Sequence, residues 1–387
     1  MTELTGQLEP KSPSAASVVE EELAAKGASV YTASQWRLMW WKFRKHKVAV
    51  WSLALIANLY VLVILCELIA PYVPEDRNID LAYSPPQRLH WIGADGFHLR
   101  PFVYNLSGVR HPETRRRLYA EDTTTACPVR FFVLGSRYDL WGLIPMRLHL
   151  FGVGAGGTLH LLGTDSLGRD LFTRLVYGAR ISMTIGLIGV ALTFFFGLTI
   201  GAASGYFGGM VDHLIQRLIE VIQSFPTIPL WMALSAALPA SWTPIQTYFG
   251  IILVLSLIGW TGLARVVRGK ILSLREEDYA TAALLSGAST WRIMWRHLLP
   301  GFTSNIIVGL TLQLPNVVLG ETALSYLGLG LRRPVVSWGV LLYDAQNVQA
   351  VAQQPWLLSP AVLVVVMVLA FNFVGDGLRD AADPYVR

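Results

Sequence analysis

The sequence predicts an all-α membrane protein with six transmembrane helices and a small β-containing insert between the first and second. Three observations predict it. The chain of 387 residues is 53% hydrophobic and 15% charged, with a mean hydropathy of +0.45, whereas a soluble domain is about 25% charged. Its apolar residues fall into uncharged runs long enough to cross a bilayer, about 20 residues each. One polar, Pro-rich and Arg-rich stretch at 71–162 interrupts them. This balance excludes an ordinary cytosolic globule, a disordered chain and collagen, and two cysteines cannot make a disulfide framework. The net charge of +5 comes from Lys and Arg clustered beside the apolar runs. That distribution marks cytoplasmic flanks and gives no basic groove for nucleic acid.

The first span is expected at 48–70. A basic stretch precedes it, with Arg37, Lys42, Arg44, Lys45 and Lys47. The run is too long for a secretory signal, starts too late and has no small-residue cleavage site, so it reads as a retained anchor. Within the interruption, 130–134 and 139–144 read as short strands. Arg115-Arg116-Arg117 reads as a solvated turn, or more sharply as a contact patch for a partner. A second span lies at 181–211, between Arg180 and Asp212. The uncharged run 221–264 is long enough for two spans, and Pro239-Ala240-Ser241-Trp242-Thr243-Pro244 divides it by a turn. This places spans at about 214–238 and 248–267. A fifth falls at about 302–326 and a sixth at about 356–378, over the uncharged run 345–375.

Six spans put both termini in the cytoplasm. Arg265, Arg268, Lys270, Arg275, Arg292 and Arg296 then fall inside, and the uncharged turn 239–247 falls outside. The expected organisation is a cytoplasmic segment 1–47, an anchor 48–70, an outer insert with the approach to the second span 71–179, a main membrane domain 180–379, and a cytoplasmic tail 380–387.

Several patterns mimic chemistry without its context. Gly152-Val153-Gly154-Ala155-Gly156-Gly157 has dinucleotide-type glycines, but the residues after it do not read as a helix, so it reads as a flexible loop. No Gly-x-x-x-x-Gly-Lys-Ser/Thr loop and no Gly-x-Ser-x-Gly elbow occurs. The eight histidines have no metal-ligand spacing. Cys66 and Cys127 read as free and unreactive, and Asn105-Leu106-Ser107 is a sequon of a kind common by chance. No catalytic residue, metal site or cofactor is expected.

Two patterns do carry function. Gly197, Gly201, Gly205 and Gly209 repeat every four residues and form a flat strip for close helix approach, or for simple packing within the chain. The stretch from Glu276 to Pro300 then reads as a short helix, a break at Gly287 and a second amphipathic helix. Its acids sit where the helix dipole favours them. Ala282 and Ala283 give a small flat surface, and Pro300 starts the next span. A helix pair at the inner membrane face is built to dock in a groove of a cytoplasmic partner. Bulk at Gly287 is expected to misplace the docking helix.

This stretch resembles the "EAA" loop of permease subunits of binding-protein-dependent ABC importers. Ala282, Ala283, Gly287, Leu299 and Pro300 match it, while Thr281 replaces the glutamate and His297 the isoleucine. Three further stretches resemble the C-type permease of the oligopeptide, dipeptide and nickel branch. They are Gly163-Thr164-Asp165-Ser166-Leu167-Gly168-Arg169-Asp170 with Gly178-Ala179-Arg180-Ile181-Ser182; Gly205-Tyr206-Phe207-Gly208-Gly209-Met210-Val211-Asp212; and Glu321-Thr322-Ala323-Leu324-Ser325-Tyr326-Leu327-Gly328-Leu329-Gly330 with Ser337-Trp338-Gly339. The resemblance covers about 163–387 and the anchor at 36–70. The long insert resembles that of Yej-type peptide permeases.

The resemblance implies the type I importer fold and a bacterial inner-membrane location. It implies a heterodimer with a second, homologous permease, two ABC ATPase subunits below, and a periplasmic solute-binding protein above. Peptides are the implied substrate, with oligosaccharides, opines and nickel chelates as alternatives on the same scaffold. The loop that contacts the ATPase would use Asp278, Tyr279, Ala282, Ala283, Gly287, Ser289, Arg292, Arg296, His297, Leu299 and Pro300. Glu321 lies about 28 Å along its helix from Phe302 at 1.5 Å per residue, near the outer mouth. It reads either as a hydrogen-bonding cap for the Leu-Gly-Leu-Gly turn or, with Ser325, Leu327 and Trp338, as an outer gate. A stand-alone channel or carrier would need ionisable residues along its path, and a membrane enzyme would need paired catalytic residues at membrane depth. The spans show almost none of either, so the chain is expected to do no bond chemistry.

Overall fold

The chain begins its described course with an amphipathic helix. The computed structural model describes residues 35–93, 96–110, 117–154 and 156–382. Residues 1–34, 94–95, 111–116 (with Arg115 and Arg116), Ala155 and 383–387 lie outside the described residues. Helix α1 (Gln35–Lys45) carries basic residues in its last turn, and the His46 ring then accepts the Ala49 amide at 3.1 Å to start α2 (Lys47–Ile64). A single turn, α3 (Cys66–Ile69), follows and leads to the insert.

The insert is a four-stranded antiparallel sheet in the order β1-β2-β3-β4. Its strands are His90–Gly93, Gly96–Arg110, Arg117–Leu140 and Ile144–Val153. The long β3 pairs with β2 through its first half and with β4 through its second. The expected strand at 130–134 lies inside β3. The expected strand at 139–144 is instead the tip of the β3–β4 hairpin. Trp141 and Gly142 both take positive φ there (53° and 70°), which turns the chain. Arg117 opens β3 and donates to the Asp80 carbonyl at 2.9 Å, so it is tied down and not part of a solvated turn. Gly152 and Val153 end β4, and among the described residues no α-helix starts after them before Leu171, so the glycine run lacks the strand-turn-helix context of a dinucleotide site.

Among the described residues, five helical stretches are long and apolar enough to cross a bilayer: Lys47–Ile64, Leu171–Phe207, Pro244–Leu274, Thr290–Tyr326 and Pro355–Ala382. Helix α4 (Leu171–Phe207) starts ten residues before the expected second span, because Asp170 caps it by accepting the Thr173 amide at 2.7 Å. At 37 residues it is about 55 Å long, more than the hydrocarbon core requires. Two successive glycines with positive φ, Gly208 and Gly209, then reverse the chain.

The expected third span at 214–238 is not one helix. It comprises α5 (Gly209–Gln223) and α6 (Thr227–Ala236), bent 88° from each other. Pro226 sits at the break. It lacks an amide hydrogen and disfavours helical backbone at Phe225, so the helix stops at Gln223. Counted as one broken span, the pair makes a sixth. Helix α7 (Pro244–Leu274) starts from a reciprocal cap between Thr243 and Gln246.

After the exposed loop come α9 (Thr303–Tyr326), α10 (Trp338–Asp344) and α11 (Ser359–Ala382); α8 is described with that loop. The main core lies where α4 packs against α2, α7 and α9, and α11 against α2 and α9, around Met183, Ile185, Ile251, Leu255, Val318 and Met367. A second core sits at the other end of α4 and α7. There Leu198, Ala202, Val267 and Ile271 meet Ile293, Met294 and Leu298.

Candidate functional site

The glycine strip sets how close α4 and α7 come. A Cβ on Gly197 would meet Leu263 at 2.8 Å, one on Gly201 the Ala264 carbonyl at 2.6 Å, and one on Gly205 the Arg268 carbonyl at 2.8 Å. Three of the four glycines therefore serve one interface within this chain. Gly209 does not: it starts α5 beyond the reversal, and a Cβ there would meet nothing within 4 Å.

Where α4 ends, three charged groups lock it to α7. Arg268 holds Asp212 by both carboxylate oxygens, and Ser204 donates to the same carboxylate. Arg275 donates to the carbonyls of Gly205 and Tyr206, each at 3.2 Å, and so caps the C-terminal end of α4. The next residue, Glu276, opens the exposed loop.

The loop is a helical bracket. Helix α8 (Asp278–Leu285) ends at Gly287, whose φ is +80°. The Gly287 amide donates to Leu284 O at 3.0 Å and the Ala288 amide to Ala283 O at 3.1 Å. This pair of reverse bonds closes the helix and requires a left-handed residue at position 287. Ser289 then caps a new helical stretch by accepting the Arg292 amide at 3.4 Å. The stretch continues through a wide turn at Ile293–Leu298 and a tight one at Leu299–Phe302 into α9.

Burial divides this bracket into two faces. Ala280, Ile293, Met294, Leu298, Leu299 and Phe302 point into the second core. Asp278, Tyr279, Ala282, Gly287, Ser289, Arg292, Arg296 and Pro300 are exposed, and Ala283 and His297 are half-buried. Leu299, expected at the contact, is buried and holds the bracket to the core. The exposed tip carries three residues that sequence reasoning missed: Leu284 at 58%, Leu285 at 83% and Trp291 at 63%. Trp291 lies against Trp295, with ring centroids 5.0 Å apart. Large apolar residues on a polar loop were the available signal.

At the opposite end, motifs far apart in sequence meet. Glu321 of α9 is fully buried and accepts from Ser337 at 2.7 Å, Ser325 at 2.9 Å and Ser182 at 3.0 Å. The Trp338 amide donates back to Ser182 Oγ, and its indole donates to Leu175 O, both at 3.2 Å. Three elements, α4, α9 and the start of α10, are thus fastened through one carboxylate. Ser325 and Trp338 are buried with it, and Leu327 is exposed. Beside this knot lies an ion cluster. Asp165 pairs with Arg169 and Arg174, and Asp344 pairs with Arg174 and Arg333. It joins the 163–170 loop to α10.

Residues 197–387 match the family described as "Binding-protein-dependent transport system inner membrane component", and residues 34–86 match "N-terminal TM domain of oligopeptide transport permease C". The chain is 38% identical over 229 residues to the oligopeptide transport system permease protein OppC of Bacillus subtilis, covering 59% of this chain and 72% of the relative. It is 40% identical over 234 residues to OppC of Escherichia coli, with 59% and 73% covered. It is 36% identical over 228 residues to the glutathione transport system permease protein GsiD of Pectobacterium atrosepticum, again with 59% and 73% covered. Among solved structures, the inward-facing MetNI methionine ABC transporter aligns over 55% of this chain and 97% of its own, at TM-score 0.44 and 18% identity. The chain is a transporter subunit, not an enzyme, and it belongs to the family of inner-membrane permease components of binding-protein-dependent transport systems.

Proposed function

We propose that this chain forms one half of a peptide translocation path in an ATP-driven importer and engages a cytoplasmic ATPase through the bracket at 276–300. The observation that carries this reading is the bracket's division into two faces. Its inner face is built into the core at the foot of α4 and α7. Its tip leaves Leu285 and Trp291 in solvent, where an isolated subunit gains nothing from them. Force applied at such a tip reaches α4 through Arg275 and Arg268. Glu321 and its serines hold the opposite end of the same helix, so α4 moves with both. Shifting the balance between two arrangements of such packed helices is how ATP binding elsewhere would open the path.

Peptides are the favoured cargo because the relatives named above are oligopeptide and glutathione permeases. The second half of the path is a homologous permease, and both termini face the cytoplasm, in keeping with the basic residues of α1 and of the 265–296 segment. A periplasmic binding protein then delivers cargo on the side of the insert.

The test is a Leu285→Asp, Trp291→Ala double variant, purified in mild detergent from its native membrane. The ATPase subunits are expected to be lost while a second permease still co-purifies. Full recovery of the ATPases together with normal peptide uptake would refute the assignment.

A further inference from the structure

The β3–β4 hairpin does not stand clear of the membrane domain. Three polar contacts set its direction. The His149 ring meets the Ala70 carbonyl, the Trp141 amide donates to Glu67 at 3.4 Å, and the Trp141 indole donates to the Ile64 carbonyl at 2.8 Å. From His149 to the tip, the hairpin therefore passes from residue 70 back to residue 64. Those six residues, four of them the turn α3, correspond to about 9 Å at the helical 1.5 Å each. The tip points back along the first span, toward the bilayer that α2 is long and apolar enough to cross.

That tip is apolar and uncovered. Trp141 is 53% exposed, Leu143 80% and Ile144 50%. Ile64 and Val61 of α2 are also exposed, so one apolar surface continues from the span onto the hairpin. Arg137 and Arg147 are exposed on the two strands behind the tip. Arg147 is four residues from Leu143, about 13 Å along a strand. Trp141 takes a left-handed φ of +53°, an unfavourable conformation for a bulky residue. Its two hydrogen bonds to the end of the span hold it there.

We propose that this hairpin tip is an interfacial anchor. Trp141, Leu143 and Ile144 sit among lipid chains at the edge of the bilayer, and Arg137 and Arg147 meet the lipid phosphates. The occupant is lipid because the surface continues the membrane-facing flank of α2. The residue types also suit that depth. An indole places its ring in apolar surroundings and its N–H toward polar ones, and arginines reach headgroups from just above. The anchor fixes the height and tilt of the whole insert over the membrane.

The test places a bimane probe on Leu143→Cys, Val61→Cys or Leu99→Cys, each in a Cys127→Ser background with the buried Cys66 left in place. The assembled importer is set in nanodiscs of phosphatidylethanolamine and phosphatidylglycerol. Quenching by nitroxide-labelled lipid is compared with quenching by aqueous iodide. Leu99, on β2 and 88% exposed, is the aqueous benchmark, and Val61 the lipid one. The Leu143 probe is expected to follow Val61, with lipid quenching several-fold stronger than at Leu99. Iodide quenching equal to that at Leu99 would overturn the proposal. So would shielding from both quenchers, which would place a protein partner on the tip.

Discussion

Arg268 of α7 holds Asp212 of α5 through both carboxylate oxygens, seven residues before Arg275 caps the end of α4. Asp212 follows the Gly208-Gly209 reversal, so this pair fixes where the third apolar segment leaves the second. Arg268 keeps about a third of its exposure, which screens the attraction. A double-mutant cycle of Asp212→Asn and Arg268→Gln, read by chemical denaturation, is expected to show a coupling of about 1 kcal/mol. Importers assembled with either single variant should also keep hydrolysing ATP while uptake falls, because the junction between bracket and helix is loosened. Strict additivity of the two substitutions would show that the pair contributes nothing.

The α4–α7 interface makes a sharper prediction, because two glycines in the membrane helices differ only in their surroundings. A Cβ on Gly201 would meet the Ala264 carbonyl at 2.6 Å and its Cα at 2.8 Å, both backbone. Neither atom can swing away, so the helices must part. Gly201→Ala is expected to cost about 1–3 kcal/mol. A Cβ on Gly262, on α7, would meet nothing within 4 Å. Gly262→Ala should be neutral or stabilise by about 0.5–1 kcal/mol through reduced backbone freedom. Melting temperatures of the two variants should therefore move apart. Equal destabilisation would mean that close approach at Gly201 is not what holds the pair.

Much of this fold was legible because membrane spans announce themselves as charge-free runs. What was hidden follows from what such runs ignore. Pro226 adds nothing to a count of charge, yet its missing amide hydrogen breaks the third span by 88°. Arg180 marked an apparent boundary, but α4 passes through it because Glu67 pairs with it across the fold. The four-residue glycine period was real for Gly197, Gly201 and Gly205 and accidental for Gly209, since only the reversal at Gly208 ends the helix. The coupling stretch was readable as two helices about a glycine. Which of its apolar residues stay free was not, because Ile293 and Leu285 look alike until the second core claims the first. The tie among Ser182, Glu321 and Ser337 needed three dimensions outright.

Gly287 corrects the expected reason for its own importance. Bulk is not the constraint, since a Cβ there would meet nothing within 4 Å. The constraint is the φ of +80°, which side chains other than glycine adopt at a cost of about 1–2 kcal/mol. Gly287→Ala should therefore impair peptide uptake nearly as much as Gly287→Leu. Gly287→Asn should be milder, because asparagine tolerates the left-handed region. Uptake at a fixed ATPase level is the measurement. A graded loss that tracks side-chain volume, with alanine close to wild type, would restore the steric explanation.

The Glu67 carboxyl links the first span, α4 and the insert. It accepts from Arg180 and from the Trp141 amide, and the Cys66 thiol lies 3.5 Å away. Burial alone would raise its pKa, but the hydrogen bonds it accepts, that of Arg180 first, together with the Arg180 charge outweigh burial and hold it below its ordinary value. A carboxyl depressed in the folded state stabilises that state above its unfolded pKa and loses the contribution as pH falls through the folded one. The tie should therefore be constant at neutral pH and weaken only below about pH 4.3, the ordinary value for glutamate. A hydrogen bond to a charged group contributes about 1.5–3 kcal/mol, and the partial exposure of Arg180 places this one at the low end. Amide exchange at residues 141–144 in nanodiscs, corrected for intrinsic rates, should quicken as pH drops from 5 to 3. Glu67→Gln should exchange faster at pH 7 and lose that acid-dependent rise, because its amide does not titrate. An acid-dependent rise that survives in Glu67→Gln would assign the titration to another group and separate the hairpin from the α2–α4 pair.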